Sequence, residues 1–296
     1  MKIQFYGVRG SYPVPGESTL RYGGNTTCVS ISKEIDGKIY RVIIDSGTGI
    51  IKLGKEIIGN FFAGKENLNI PILFTHLHPD HTQGFPFFAP NFSTYAVLNL
   101  YGMKALEIDL EDILSAQMVP PNFPIEYRSL KSIRVHKEIS DGPVDTSVYN
   151  RPGFGKQRNS PFSVLAMQAF APSHPQQGAI YYKIKDLETD KTVVCVWDNE
   201  SKIGGDQAVI NFAKDCDLLI HDTQYTTEEY TSNKMIVQGF GHSTYEMAIE
   251  TAIQAKANRL VCTHFNPSHT DRDLDRIQKS LPPFAIMAQE GLTVEL

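Results

Sequence analysis

Residues 70–84 read IPILFTHLHPDHTQG: an apolar run of the kind that forms a buried strand, ending in His76, His78, Asp80 and His81. Of all features in the chain this one constrains the fold most. It asks for a strand whose polar end meets other elements able to complete a ligand set. Chance crowding is a poor explanation, because the chain has nine histidines and three of them stand here. His76 and His78 lie two apart on an extended chain, so both imidazoles point the same way and can reach one ion. Pro79 then turns the chain, and Asp80 and His81 can face a second ion nearby. Histidine and carboxylate without cysteine suit a catalytic site with open positions better than a closed structural zinc site.

The same pattern of an apolar run followed by a polar residue and a turn recurs along the chain. KIQFYG, TTCVSIS, YRVIID, FSVLAMQAF, AIYYKI, TVVCVW, DLLIHD and RLVCTH are rich in Val, Ile, Phe and Tyr and read as strands. Three of these runs present a further ligand type just after them: His174 in FAPSHPQQG, Asp198 in VVCVWDNE and His264 in RLVCTHFNPSH. Helical patterns separate some strands, at about 49–59, 103–116, 206–213, 243–256 and 271–280. In STYEMAIETAIQAKAN, Ser243 and Glu246 read as a capping box, and Tyr245, Ala248, Ile249, Ala252 and Ile253 as one face. Residues 118–161 are proline-rich and weakly periodic, which predicts an irregular, lid-like segment.

Composition narrows the classes. A hydrophobic fraction of 41% and a charged fraction of 21% are those of an ordinary globular protein, and the formal net charge of −5 gives no general attraction to nucleic acid or anionic membrane. Cys28, Cys195, Cys216 and Cys262 form no CxxC pair, and three sit in apolar runs, so they read as reduced core residues. The first sixteen residues lack an apolar signal region, and no run of eighteen apolar residues occurs. The expectation is a cytoplasmic protein without a membrane span.

Taken in order, Asp45, the H-x-H-x-D-H of residues 76–81, His174, Asp198 and His264 resemble the metallo-β-lactamase superfamily over nearly the whole chain. The resemblance implies an α/β fold, an αββα four-layer sandwich of two mixed β-sheets flanked by helices, in a single domain over 1–296. It also implies two divalent metal ions, zinc first, with manganese or iron also suited to such ligands. His76, His78 and His174 would hold the first ion, Asp80, His81 and His264 the second, and Asp198 would bridge them. Asp45 would orient the ligand loop from behind.

Superfamily members cleave several kinds of bond, so the fold alone does not fix the reaction. Lactamases with two zincs typically carry cysteine where this chain has Asp198, and the thioester branch shows PGHT where this chain has PSHPQQG. LLIHDTQY, with His221 and Asp222, and GFGHSTYE, with His242, resemble the tRNase Z family and its small-molecule relatives. In that likeness Asp222 supports His242, which protonates the leaving oxygen after a metal-bridging hydroxide attacks phosphorus; Asp80 belongs to the same catalytic group. The tRNase Z family carries a long arm between its third histidine and its bridging aspartate. Here only twenty-three residues separate His174 from Asp198, and they read as a hairpin. The expected substrate is therefore a small phosphodiester of the nucleotide type, cyclic nucleotides included. RNA cleavage, carboxyl-ester, thioester or lactam hydrolysis, and a metal-bearing binding protein are the rivals. Asn25, Tyr149, Arg151 and Phe154 are candidate substrate contacts, with Arg9, Ser11, Lys156 and Arg158 nearby in the same segments. No membrane partner is expected, and assembly as a homodimer stays open.

Overall fold

The structure, a computed structural model, describes residues 1–103, 109–146, 160–169, 178–202 and 204–296. The first part of the chain forms β1 (Lys2–Gly7), β2 (Cys28–Ile35), β3 (Lys38–Ile44), α1 (Ile50–Phe62), β4 (Asn69–Leu73), the short α2 (Pro79–Thr82) and β5 (Val97–Gly102). Then come α3 (Leu110–Ala116), β6 (Ile133–Glu138), β7 (Gly142–Val144), β8 (Phe162–Ala169), β9 (Ala179–Asp186), β10 (Thr192–Val196) and α4 (Gln207–Phe212). The last part holds β11 (Leu218–Asp222), α5 (Thr227–Tyr230), α6 (Tyr245–Gln254), β12 (Leu260–Thr263), α7 (Asp271–Ser280), β13 (Ala285–Met287) and β14 (Thr293–Glu295).

Among the described residues the strands make two seven-stranded sheets, in the orders β14-β1-β2-β3-β4-β5-β6 and β13-β12-β11-β10-β9-β8-β7. Each is antiparallel in one half and parallel in the other. β3, β4, β5 and β6 run parallel in the first sheet, and β10, β11, β12 and β13 run parallel in the second. Parallel neighbours need a crossover, and α1, α4, α6 and α7 supply such connections. One core, with Ile3, Phe5, Val29, Ile31, Tyr182, Val194, Trp197 and Ile220, fills the space between the sheets and reaches α6 and α7. A second core under α1 and α3 covers the outer face of the first sheet. The result is the αββα sandwich expected, two mixed sheets with helices outside.

Topology positions the site. Ligands in open α/β sheets gather outside the carboxyl ends of parallel strands. Asp45, the 75–81 turn, Asp198, Asp222 and His264 lie at or just beyond the carboxyl ends of β3, β4, β10, β11 and β12. The sheets meet there directly, because Ile180 N–H donates to Thr75 O at 2.7 Å and Tyr182 Oη to Phe74 O at 2.6 Å.

Several expectations need correction. Residues 118–161 are not irregular throughout, since they contain β6 and β7, the edge strands of the two sheets. Edge strands are short or charged and bury only part of each side chain, so IRVHKE and GPV carry little periodicity. Residues 147–159 of that segment lie outside the described residues. β5, VLNLYG, is buried along its length yet escaped the sequence reading; Asn99 interrupts its apolar pattern, and its Nδ2 donates to Asn69 Oδ1 at 2.6 Å. The helix expected over 103–116 is described only from Leu110 to Ala116. The cap of α6 is Thr244, whose hydroxyl accepts from Met247 N–H, while Ser243 Oγ donates to Asn199 O. Ile253 is exposed rather than core; Thr251 takes the buried position.

Candidate metal centre and active site

The site is built on backbone that few residues tolerate. Asp45, Asp198 and His264 all have positive φ, at 59°, 47° and 64°. Left-handed backbone is uncommon outside glycine, with Asp and His among the residues that adopt it, and such conformations gather at functional sites. Asp198 and His264 meet His76, His81 and Asp80 of the other sheet's strand ends, whereas Asp45 turns to Thr75 and His81 beside it in its own sheet.

Two sets of ligand atoms converge, each within 4.8 Å of one another: His76, His78 and Asp198, and Asp80, His81 and His264. Asp198 faces both. Its Oδ2 lies 2.9 Å from His76 Nε2, and its Oδ1 lies 3.1 Å from His264 Nε2 and 3.5 Å from His81 Nε2. One oxygen toward each set is the geometry a bridging carboxylate requires.

The supporting bonds fix the imidazole tautomers. His81 Nδ1 lies 2.7 Å from Asp45 Oδ2, and Asp45 also accepts from Thr75 N–H and Oγ1, each at 2.8 Å. Since the Thr75 hydroxyl donates to Asp45, it accepts from His76 Nδ1 at 3.2 Å. Both histidines thereby carry their proton on Nδ1 and turn a lone pair inward on Nε2. His81 Nε2 and His264 Nε2 stand 3.1 Å apart, with Asp80 Oδ2 3.3 and 3.2 Å from them. Electron pairs crowd there in a buried place, and a cation satisfies them all. The donors fit a divalent ion of the zinc, manganese or iron kind.

The carboxylates also act on the charge of His81. Burial pushes the His81 imidazolium toward the neutral form, but Asp80, Asp45 and Asp198 outweigh it and raise its pKa well above the usual value. Burial likewise works against the charged carboxylates, yet His81 and His264 hold Asp80 well below the ordinary range, and His76, His264 and His81 do so for Asp198.

A second pair adjoins the cluster. His242 Nδ1 lies 2.7 Å from Asp222 Oδ2, and Asp222 is fixed by Asp198 N–H at 3.1 Å and Gln224 N–H at 3.0 Å. Burial alone would lower the His242 pKa, but Asp222 and Asp198 raise it to about 9. Asp198, Asp222, His242 and His264 have ligand-type atoms within 4.8 Å of one another. His242 opens onto a cleft of about 830 Å³ walled by Tyr12, Tyr225, Met235, Val237 and Phe240.

Of the residues expected at the site, Asp45, His76, His78, Asp80, His81, Asp198, Asp222, His242 and His264 come together. Ser11 also arrives, its N–H donating to Asp80 Oδ2 at 2.8 Å. Asn25 is held by Glu290, which accepts from both its N–H and its Nδ2, at 2.7 and 2.9 Å. Arg9 is buried and donates to Gly23, Asn266 and His269 carbonyls, so it braces loops. His221 is buried with Nδ1 against Asp222 O at 2.8 Å, and burial lowers its pKa; it supports the strand end. His174, Tyr149, Arg151, Phe154, Lys156 and Arg158 lie outside the described residues. Sequence reading missed Thr75, whose signal was its place directly before H-x-H, and Glu200, which no motif marks.

An αββα sandwich with histidines and aspartates gathered at its parallel strand ends defines a metal-dependent hydrolase. Residues 40–265 match the family model described as "Beta-lactamase superfamily domain", and the chain belongs to that superfamily. It is 27% identical over 251 residues to a Ribonuclease Z of Gemmatimonas aurantiaca, covering 76% of this chain and 79% of the relative. It is 26% identical over 295 residues to a Ribonuclease Z of Thermoplasma acidophilum, covering 92% and 88%. Among solved structures it is similar to the metallo-beta-lactamase fold protein YhfI from Bacillus subtilis, with a TM-score of 0.65, 19% identity and coverage of 100% and 99%. The expected likeness to the phosphodiesterase and tRNase Z branch is met by these relatives.

Proposed function

We propose that this hydrolase is a phosphodiesterase acting on a small, nucleotide-type and cyclic or linear, phosphodiester. The observation that carries the reading is the Asp222–His242 pair beside Asp198 and His264, at 2.7 Å and facing an open cleft. In this reading residues 1–296 act as one domain. His76, His78 and His174 would hold one divalent ion, Asp80, His81 and His264 a second, and Asp198 would serve both, with zinc the best match to these donors. Such ions, when bound, lower the pKa of water and neutralise phosphoryl oxygens.

The chain's own residues do the rest. Asp45 and Thr75 keep Nε2 of His81 and His76 inward. Ser11 N–H holds one Asp80 oxygen in place. His242 donates a proton to the departing alkoxide, and Asp222 holds its ring and favours its charged form. Asp222 is the positioning partner here, since its oxygens are occupied by backbone N–H groups and the imidazole.

The β9–β10 connection is a tight hairpin, with Asp186 Oδ1 accepting from Glu188 and Thr189 N–H. With the net charge of −5, that hairpin favours a small diester over tRNA. RNA cleavage is the second reading, favoured by the relatives named Ribonuclease Z. A cytoplasmic setting accords with four buried free cysteines; among the described residues no helix is long and apolar enough to cross a membrane. The test is turnover by the metal-loaded protein of 3′,5′- and 2′,3′-cyclic nucleotides, linear dinucleotides and a tRNA precursor. Turnover of the small diesters is expected; cleavage of the precursor alone would replace this reading by the second, and hydrolysis only of carboxyl or thioesters would overturn both.

A further inference from the structure

The cleft beside His242 has a wall whose position is set from the metal side. Glu200 stands two residues beyond Asp198, in the loop after β10, and both of its carboxylate oxygens reach across to the segment 230–241. Oε1 accepts from Tyr230 Oη at 2.6 Å and from Gly239 N–H at 2.7 Å; Oε2 accepts from Gly241 N–H at 2.9 Å. Gly239 and Gly241 have φ of 88° and 85°, and the doubled turn aims both N–H groups at one carboxylate. Three bonds to a charged acceptor make a firm clasp. The same two loops are joined again one step further, since Ser201 N–H donates to Ser243 Oγ at 3.0 Å and Ser243 Oγ to Asn199 O at 2.5 Å.

Between the two glycines, Phe240 is pushed outward and is 49% exposed. With Met235, Val237 and Tyr225 it walls the 830 Å³ cleft onto which His242 opens. Tyr225 meets the His242 ring edge to face, with centroids 6.0 Å apart. A group leaving phosphorus with its oxygen against His242 is therefore received by an apolar and aromatic surface. Flat rings gain from such a surface.

We propose that Glu200 is a positioning residue that locks segment 230–241 as the wall of a leaving-group site, so that the enzyme selects diesters whose departing alcohol carries an aromatic or base-like ring. The proposal rests on the phosphodiesterase reading above. Glu200 touches no reacting atom; it acts through Gly239, Gly241 and Tyr230. Chemically the step is the one already described: the P–O bond to the leaving alcohol breaks, hydroxide derived from water forms the new P–O bond, the alkoxide takes its proton from His242, and the proton that the water released to solvent balances the one His242 regains from solvent.

The test uses Glu200→Gln and Tyr230→Phe in the full, metal-loaded chain, with two readouts. Lys234 is exposed and is the one tryptic position between Lys214 and Lys256. Loosening the clasp should speed trypsin cleavage there by roughly fivefold or more, as local opening becomes easier, with a smaller effect for Tyr230→Phe. The second readout is kcat/KM for phenyl and naphthyl methyl phosphates of matched leaving-group acidity. The native enzyme should prefer the larger ring, and Glu200→Gln should cut that preference by about fivefold while metal content stays unchanged. Unchanged cleavage at Lys234 in both variants overturns the clasp. Faster cleavage with intact ring preference overturns the selection. A native protein that turns over no phosphodiester removes the phosphodiesterase reading and the selection with it, while the Lys234 result still decides the clasp. Should Glu200→Gln fail to fold, Tyr230→Phe, which deletes one hydroxyl, decides both points alone.

Discussion

His242 is where the chemistry can be separated from the scaffold. His242→Ala should leave both ions bound yet lower kcat by roughly 10²–10⁴-fold on a diester with a poor leaving group, the usual range for a lost general acid. A nitrophenyl diester, whose leaving group departs readily as an anion, should be much less affected. An equal loss on both would assign His242 to binding instead. The sign of the pH dependence follows from the proton. Asp222 and Asp198 raise the His242 pKa to about 9, and cations beside Asp198 would pull it down again. Activity on the poor leaving group should therefore fall as pH rises, with a midpoint at or below about 9, and His242→Ala should abolish that limb. Asp45→Asn tests the bond behind the ligands. It should weaken metal affinity by roughly 10–100-fold, read by competition with a chelator, because His81 loses the acceptor that fixes its tautomer. These residues were legible because each stands at the end of an apolar run in a set of ordered motifs. Thr75 and Glu200 were not: a hydroxyl relayed between Asp45 and His76, and a carboxylate reaching Gly239 and Gly241, exist only once distant loops meet.

The parallel strands explain why so much of the element pattern could be read in advance. YRVIID, IPILFT, TVVCVW, DLLIHD and RLVCTH are largely buried and therefore nearly continuous in hydrophobicity, and each ends in or directly before a residue of the site or its support. The edges defeated the same reading, since β6 and β7 bury little and carry charge or proline. The β9–β10 turn offers a test at this scale. Asp186 accepts from Lys33 Nζ at 2.7 and 2.9 Å, joining β2 of one sheet to β9 of the other, and from Glu188 and Thr189 N–H. Asp186→Asn should destabilise the fold by about 1–3 kcal/mol, the scale for hydrogen bonds to a charged group, read by denaturant unfolding. Burial opposes ionisation of Asp186, but Lys33 and the turn N–H groups hold its pKa below the usual carboxylate value. Its contribution is therefore full above about pH 4, the ordinary Asp pKa, and is lost as pH falls through the depressed one. The native and variant stabilities should converge in acid; a constant gap down to pH 2 would contradict the assignment.

At the scale of the whole molecule, the ligand cluster is a joint between the two sheets. Asp45, His76, Asp80 and His81 come from the first sheet's strand ends, and Asp198, Asp222 and His264 from the second's. All seven are buried. The joint packs the carboxylates of Asp80, Asp45 and Asp198 about His81, whose pKa they raise, and each buried charge carries a desolvation penalty. Divalent ions held there would tie the halves together, and their binding free energy would add to folding stability. Free ion at a hundred times its dissociation constant contributes about 2.7 kcal/mol per site, provided the unfolded chain does not bind it. A zinc-loaded sample should therefore bind two ions per chain by elemental analysis and melt several degrees above a chelated one. Asp80→Ala should keep one ion and about half of the shift, since His76, His78 and Asp198 remain, with His174 expected beside them. Loading that changes neither stoichiometry nor melting temperature would mean the cluster holds no ion. One ion in the native protein, with the full thermal shift, would make the centre mononuclear and remove Asp198 as a bridge.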